Sequence, residues 1–293
     1  MRCKLISPME EPDRTRSSVR ARPRLLRALG DAGPPDRVEI GGCPYDRIRT
    51  FKHDSWAVTA LYCGTESKMI CKFNRCQPIF GLPMRWLGRL LASRESRAIR
   101  HLADVPEIPT GGGDVVADGQ TLDHACAHQF IEGHPLSRNE RVNDLFFSRL
   151  QTTLATMHKR GYAYVDLNKR DNIIVGNDGI PYLVDFQIHF AAPTWQPAKI
   201  LTWPLLRAFQ RADNYHLLKH QFHHRRDQLI DSQAGLQRSR PLPIRLWRLI
   251  STPFQATRRR LLVLMRVRSG KGKVHTELHP PDGLSAGTPH LRK

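Results

Sequence analysis

A-Y-V-D-L-N-K-R-D-N-I-I-V-G-N-D-G-I-P-Y-L-V-D-F-Q, residues Ala163 to Gln187, sets out an Asp, an Asn six positions on, and a second Asp thirteen positions beyond that: Asp166, Asn172 and Asp185. Between Asn172 and Asp185 the stretch has hairpin chemistry. Ile173, Ile174 and Val175 lead into an Asn177-Asp178-Gly179 turn, and Tyr182, Leu183 and Val184 lead out of it. A two-stranded ribbon of this kind returns Asp185 to the end of the hairpin where Asn172 lies. Short D-x-N and D-F strings also occur in ordinary surface hairpins, so residues elsewhere must decide between the two readings.

An Asp that orients a hydroxyl, followed by an Asn and an Asp that hold Mg²⁺ against phosphates, is what phosphoryl transfer from ATP requires. The strings resemble the catalytic loop H-R-D-x-x-x-x-N and the metal motif D-F-G of protein kinases. The resemblance implies Asp166 as the catalytic Asp, Lys169 as a second catalytic residue on the γ-phosphate, and Asn172 and Asp185 as the metal ligands.

Upstream, Lys72 lies in the alternating run K-M-I-C-K-F and matches the inward Lys of the third kinase strand. A segment from Trp86 to Leu102 has apolar residues at near-helical spacing, and Glu95 is its one acid. Taken singly, these are an edge-strand Lys and a solvated Glu. In this order they resemble the kinase Lys–Glu ion pair, with Lys72 on the α/β-phosphates. After Gly111-Gly112-Gly113, the apolar stretches near Val115 and from Cys126 to Ile131 resemble the fifth strand and hinge, which implies adenine contacts from the backbone of Gln129 to Ile131. Asn143 to His158, with Leu145, Phe146, Leu150, Leu154 and Met157, predicts the buried helix before the catalytic loop. The resemblance covers roughly Tyr45 to Ile188.

Several positions depart from the protein-kinase pattern. Asp166 and Asn172 are six apart rather than five, which places an extra residue at Leu167 or Asn168. Tyr164 and Val165 stand where kinases have His and Arg, which argues against switching by a phosphorylated loop, and Gln187 replaces the Gly of D-F-G. From Phe51 to Tyr62 there is no glycine where kinases carry a glycine-rich loop, and Lys52 and His53 are the expected sources of positive charge there. The stretch after Asp185 lacks A-P-E and is short for a peptide-docking platform. The pattern looks more like the small atypical kinases: the RIO kinases, the aminoglycoside phosphotransferases and above all the bacterial lipopolysaccharide-kinase-like (Kdo and heptose kinase) proteins.

The 293 residues are 40% hydrophobic and carry a formal net charge of +19. The charge is concentrated at the ends: residues 1–37 are net +4, 38–231 net +4 and 232–293 net +11. This predicts a disordered basic segment over 1–37, a kinase-like domain over 38–231 (first lobe 38–133, second lobe 134–231), and a basic amphipathic tail over 232–293. No apolar run reaches the length of a membrane span, and no signal-peptide core follows the first residues. The tail interleaves Arg with Leu, Trp247 and Phe254, which suits either an anionic membrane surface or packing on the domain, and nucleic acid less well. The run His216, His220, His223, His224 reads as a basic solvated helix rather than a metal site. The six cysteines show no C-x-x-C pair and read as reduced thiols in a cytoplasmic protein, peripheral at the inner membrane face if the tail binds lipid.

The expected fold class is therefore α+β, a two-lobed protein-kinase-like fold with a reduced C-terminal lobe. The resemblance implies ATP and Mg²⁺ as cofactors and an acceptor hydroxyl on a sugar or glycolipid rather than on protein. A serine/threonine protein kinase and a nucleotide-binding pseudokinase scaffold are the alternatives. The sequence leaves the oligomeric state open.

Overall fold

The computed structural model describes residues 24–79 and 81–229. Most of the basic segment at the start and all of the tail over 232–293 lie outside the described residues. The chain is α+β and divides into two compact units: residues 24–96 with 111–130, and residues 97–110 with 131–229.

The first unit is built on a seven-stranded antiparallel sheet. Its strands are β1 (Arg37–Ile40), β2 (Cys43–His53), β3 (Ala57–Cys63), β4 (Lys68–Asn74), β5 (Val115–Ala117), β6 (Gln120–Thr121) and β7 (Ala125–Gln129), in the order β6-β5-β1-β2-β3-β4-β7. Alternation in β3 and β4 buries Val58, Ala60, Tyr62, Cys71 and Phe73 in one core with Val38, Ile40, Val115 and Ala127. Residues 24–36, inside the stretch expected to be disordered, are folded onto this unit. Ala28 is fully buried; its N–H donates to the Asp54 carbonyl and its carbonyl accepts from the N–H groups of Cys76 and Gln77.

Helix α1 (Arg85–His101) crosses from the first set of residues to the second, with Arg85 to Ser96 counted in the first. Its approach to the sheet is set at Gly88, where a Cβ would lie 2.5 Å from the Arg75 carbonyl oxygen. Only a residue without a side chain lets the helix lie so close to the end of β4, and that closeness brings Glu95, two turns later, down to Lys72. Part of the expected apolar face is not a core face: Trp86 and Leu90 are exposed, whereas Ala98, Ile99 and Leu102 are buried.

The second unit holds α2 (Phe146–Lys159), α3 (Gln196–His224), a three-stranded sheet β11-β10-β8 (Pro181–Leu183, Ile173–Gly176, Gly133–Pro135) and a small ladder of β12 (Phe190–Ala191) on β9 (Tyr162–Ala163). The turn between β10 and β11 is the Asn-Asp-Gly turn read from sequence. Gly179 has φ +74°, and Asp178 closes the turn by accepting from the N–H of Ile180 at 2.9 Å. Asn143, just before α2, donates its side-chain amide to the Gly179 carbonyl at 2.7 Å, which ties helix to turn. On α2, Phe146, Phe147, Leu150, Leu154 and Met157 are buried; Leu145, expected on that face, lies outside the helix and is exposed.

Because alanine ordinarily improves on glycine inside a helix by about 1 kcal/mol, Gly88→Ala has a diagnostic sign. It is expected to lower stability by roughly 1–3 kcal/mol in urea unfolding, and a stabilising effect would show that the contact with the Arg75 carbonyl does not set the position of α1.

Candidate functional site

In the first unit, Lys72 on β4 and Glu95 on α1 form an ion pair. Lys72 Nζ donates to Glu95 Oε1 at 2.9 Å and Oε2 at 3.1 Å, with Lys72 7% exposed and Glu95 fully buried. Cys126 Sγ adds a third donor to Glu95 Oε2 at 3.3 Å. A carboxylate buried this deeply is tolerable only because its oxygens are filled, and removing either charge would strand the other at a cost of about 3–5 kcal/mol.

The turn between β2 and β3 stands where the phosphate-covering loop was expected. It is closed on itself. Asp54 Oδ1 accepts from the N–H of Trp56 at 2.7 Å and of Ala57 at 2.9 Å, and Lys52 Nζ lies 2.6 Å from Asp54 Oδ2. Burial would raise the Asp54 carboxyl, but Lys52 and these hydrogen bonds outweigh it and hold the group below the usual carboxylate range. Arg75, almost fully buried, grips the same turn: its guanidinium donates to the Ser55 carbonyl at 2.7 Å and its N–H to the Trp56 carbonyl at 2.8 Å. Lys52 and His53, the expected sources of positive charge there, are both engaged. Lys52 pairs with Asp54, and His53 Nε2 accepts from the N–H of Leu29 at 3.4 Å.

Of the two residues expected at the adenine edge, Gln129 ends β7 with an exposed side chain, and its carbonyl lies 2.9 Å from the His128 ring Nδ1. Ile131 is half-buried in the second unit, between β7 and β8.

The second unit carries the Asp-Asn-Asp string. Lys169 Nζ lies 2.6 Å from Asp166 Oδ2, and Asn172 Nδ2 donates to the same oxygen at 3.2 Å. Pairing of Ile173 with Leu183 continues to the Val184 N–H, which donates to the Asn172 carbonyl at 3.1 Å, so the ribbon delivers Asp185 beside the Asn172 backbone. Asp185 has φ +63° and Val165 has φ +71°. Such backbone is costly for any residue with a Cβ, most of all a β-branched one, and is kept where the surroundings impose it.

The residue that holds Val165 there carries no pattern in the sequence. Asp213, fully buried on α3, accepts from the N–H of Tyr164 at 2.7 Å and of Val165 at 2.8 Å, and His158 Nε2 lies 3.0 Å from the same carboxylate. Tyr164 completes the brace. Its hydroxyl donates to the Val184 carbonyl, immediately before Asp185, and its ring meets Phe186 edge-on at 5.3 Å. The sequence signal for Asp213 was only that it is the first acid after Asp185.

The histidine run corrects an expectation. It is no solvated helix: His220 and His224 are buried, and His220 Nε2 is 2.8 Å from the Leu167 carbonyl while His224 Nδ1 is 2.8 Å from that of Glu140. Lys219 Nζ donates to Asn168 Oδ1 at 2.9 Å. The two positions where the longer loop was expected to hold its extra residue are thus fastened to α3, with the Leu167 side chain fully buried. Burial pushes His220 down to about 4 from 6.5 against the opposing pull of the Leu167 carbonyl, and burial with the charge of Lys219 does the same to His216. Of the cysteines, Cys71 and Cys126 are buried and Cys43 is exposed, and the five described ones are free thiols.

No family model matches the chain, and a search of curated proteins finds no match. Among solved structures the chain is similar to the crystal structure of the Rio2 kinase-ADP/Mg²⁺-phosphoaspartate complex from Chaetomium thermophilum, at 14% identity and a TM-score of 0.42, over 69% of this chain. This chain spans 61% of the length of that one.

Two measurements check the brace. Between pH 6.5 and about 4 the unfolded chain binds protons on His216 and His220 that the folded chain does not, so stability falls as pH is lowered through that window. For His220 the loss is on the order of 2 kcal/mol by about pH 5. Urea midpoints measured across the window should fall with acid and fall less in His220→Asn; equal slopes in the two proteins would contradict the assignment. Asp213→Ala, which strands two backbone amides, is expected to cost roughly 2–4 kcal/mol and to speed amide exchange at Tyr164 and Val165, and exchange rates left unaltered there would show that the loop is held by something else.

Proposed function

We propose that this chain is a phosphotransferase that moves the γ-phosphoryl group of ATP, with Mg²⁺, to a hydroxyl of a sugar or lipopolysaccharide-type glycan. The observation that carries the proposal is the Asp166 carboxylate, held by Lys169 and Asn172 on a loop whose backbone is fixed from α3, with Asp185 returned beside Asn172.

The donor set suits a hard cation that retains water and phosphate ligands. Mg²⁺ takes oxygen ligands and commonly only one or two from carboxylates, and the Asn172 amide oxygen and the Asp185 carboxylate are of that kind. Among the described residues no group of three or more His, Cys, Asp or Glu would hold a metal unaided. When bound, the ion would neutralise phosphate charge. Asp166 would orient the acceptor hydroxyl and take its proton; Lys169 would exchange its bond to Asp166 for the γ-phosphate. Lys72, aimed by Glu95, would hold the α/β-phosphates, and the backbone of Gln129 and Ile131 would meet the adenine edge.

A small hydroxylic acceptor is favoured over a peptide because only ten residues separate Asp185 from the start of α3, and Phe190 and Ala191 among them are tied to β9. One observation favours the pseudokinase reading: the N–H groups of Trp56 and Ala57, the donors a phosphate would use, already bond Asp54. Thermal shift and turnover together decide between the two, since a nucleotide-binding pseudokinase would show the shift without turnover. ATP with Mg²⁺ is expected to raise the melting temperature and Asp166→Ala to abolish turnover while keeping that shift. The absence of any shift at saturating ATP would argue against catalysis, and full turnover in Asp166→Ala would mean that another group activates the hydroxyl.

A further inference from the structure

Helix α3 starts well before it meets the body of its unit. From Thr194 to Leu205 no side chain is buried, and Leu206 is the first that is, followed by Gln210, Asp213, Leu217, His220 and His224. Yet the uncovered stretch is apolar: Leu201 is 82% exposed, Ile200 73% and Trp195 69%, with Trp203 and Leu205 also exposed. Ile200, Leu201, Pro204 and Leu205 recur at spacings of one, three and four residues and so share one side of the helix. Pro204 has no N–H, which deprives the Ile200 carbonyl of its helical partner. A helical segment that buries nothing and contains an interior proline is poorly supported in water.

The charges along this stretch have one sign. No Asp or Glu occurs between Asp185 and Asp213, while Arg207 and Arg211, one and two turns beyond the apolar residues and on the same side of the helix, are exposed. The Arg207 guanidinium lies 4.3 Å over the Trp203 ring, so the cation and the indole sit together at the margin of the apolar side. An apolar stripe, indoles at its edges and only cations beside it are the features of a helix lying in the interface of an anionic bilayer. No helix among the described residues is long and apolar enough to cross a membrane. Further along the sequence, 232–293 adds thirteen Lys and Arg against two acids, extending the same bias.

We infer that residues 195–205 are a membrane-docking surface for anionic lipid, with Ile200, Leu201 and Leu205 in the acyl boundary, Trp195 and Trp203 at headgroup depth, and Arg207 and Arg211 on lipid phosphates. The inference is independent of phosphoryl transfer, since it concerns binding alone.

Hydrogen exchange of the full chain, alone and with vesicles of phosphatidylcholine either pure or mixed with phosphatidylglycerol, tests it. The amides of 195–205 are expected to slow at least about threefold with the mixed vesicles and not with the pure ones. Leu201→Glu, at an exposed position, is expected to lower affinity for the mixed vesicles by about tenfold with an unchanged circular dichroism spectrum. Three outcomes would overturn the inference: no binding to either vesicle; binding through the tail with exchange at 195–205 unaltered; or protection of 195–205 without vesicles, which would mean that the face is covered by the chain's own tail or by a second copy.

Discussion

Two neighbouring backbone amides, those of Tyr164 and Val165, point at one buried carboxylate. Asp213 receives both, and His158 as well, so a charge with no access to water is matched by donors that would otherwise be orphaned. The path of the candidate loop depends on this arrangement, because Val165 holds a left-handed backbone that a β-branched residue would not adopt unaided. The strain turns the chain so that Asp166, the next residue, meets Lys169 and Asn172. His220 and Lys219 fasten the following two residues, and α3 is therefore the frame of the loop rather than a peripheral helix.

The first unit uses the same economy of buried polar groups in a different form. Glu95 is fully buried yet has donors from Lys72 and Cys126, and Arg75 is almost fully buried with backbone carbonyls around it. In each case a charged side chain fixes a local geometry: the aim of Lys72 in one, the path of the turn at Ser55 and Trp56 in the other. A buried ion pair such as Lys72–Glu95 contributes little net stability, since desolvation offsets most of the Coulomb gain.

How far the sequence displays this depends on the range over which each feature is encoded. The β10–β11 ribbon is legible because its apolar runs and its Asn-Asp-Gly turn are local, and Gly179 at positive φ is what that turn demands. Lys72 and Glu95 are legible as a pair because an alternating strand followed by a periodic helix leaves few residues that face each other. Asp213 is not, since a lone acid inside a helix carries no pattern, and its partners lie almost fifty residues earlier. The histidine run misleads for a related reason: helical spacing says which residues share a face, not whether water reaches it, and Leu167 and Glu140 cover His220 and His224 from distant parts of the chain. Asp54 escapes notice because an Asx turn has the composition of any polar loop.

That Asx turn bears on the thermodynamics of any nucleotide complex. A glycine-rich flap has more backbone freedom to lose on closing over phosphate. Here the residues from Lys52 to Ala57 are already ordered by Asp54 and Arg75, so their ordering entropy is lost when the chain folds and would not be lost again were a nucleotide to bind.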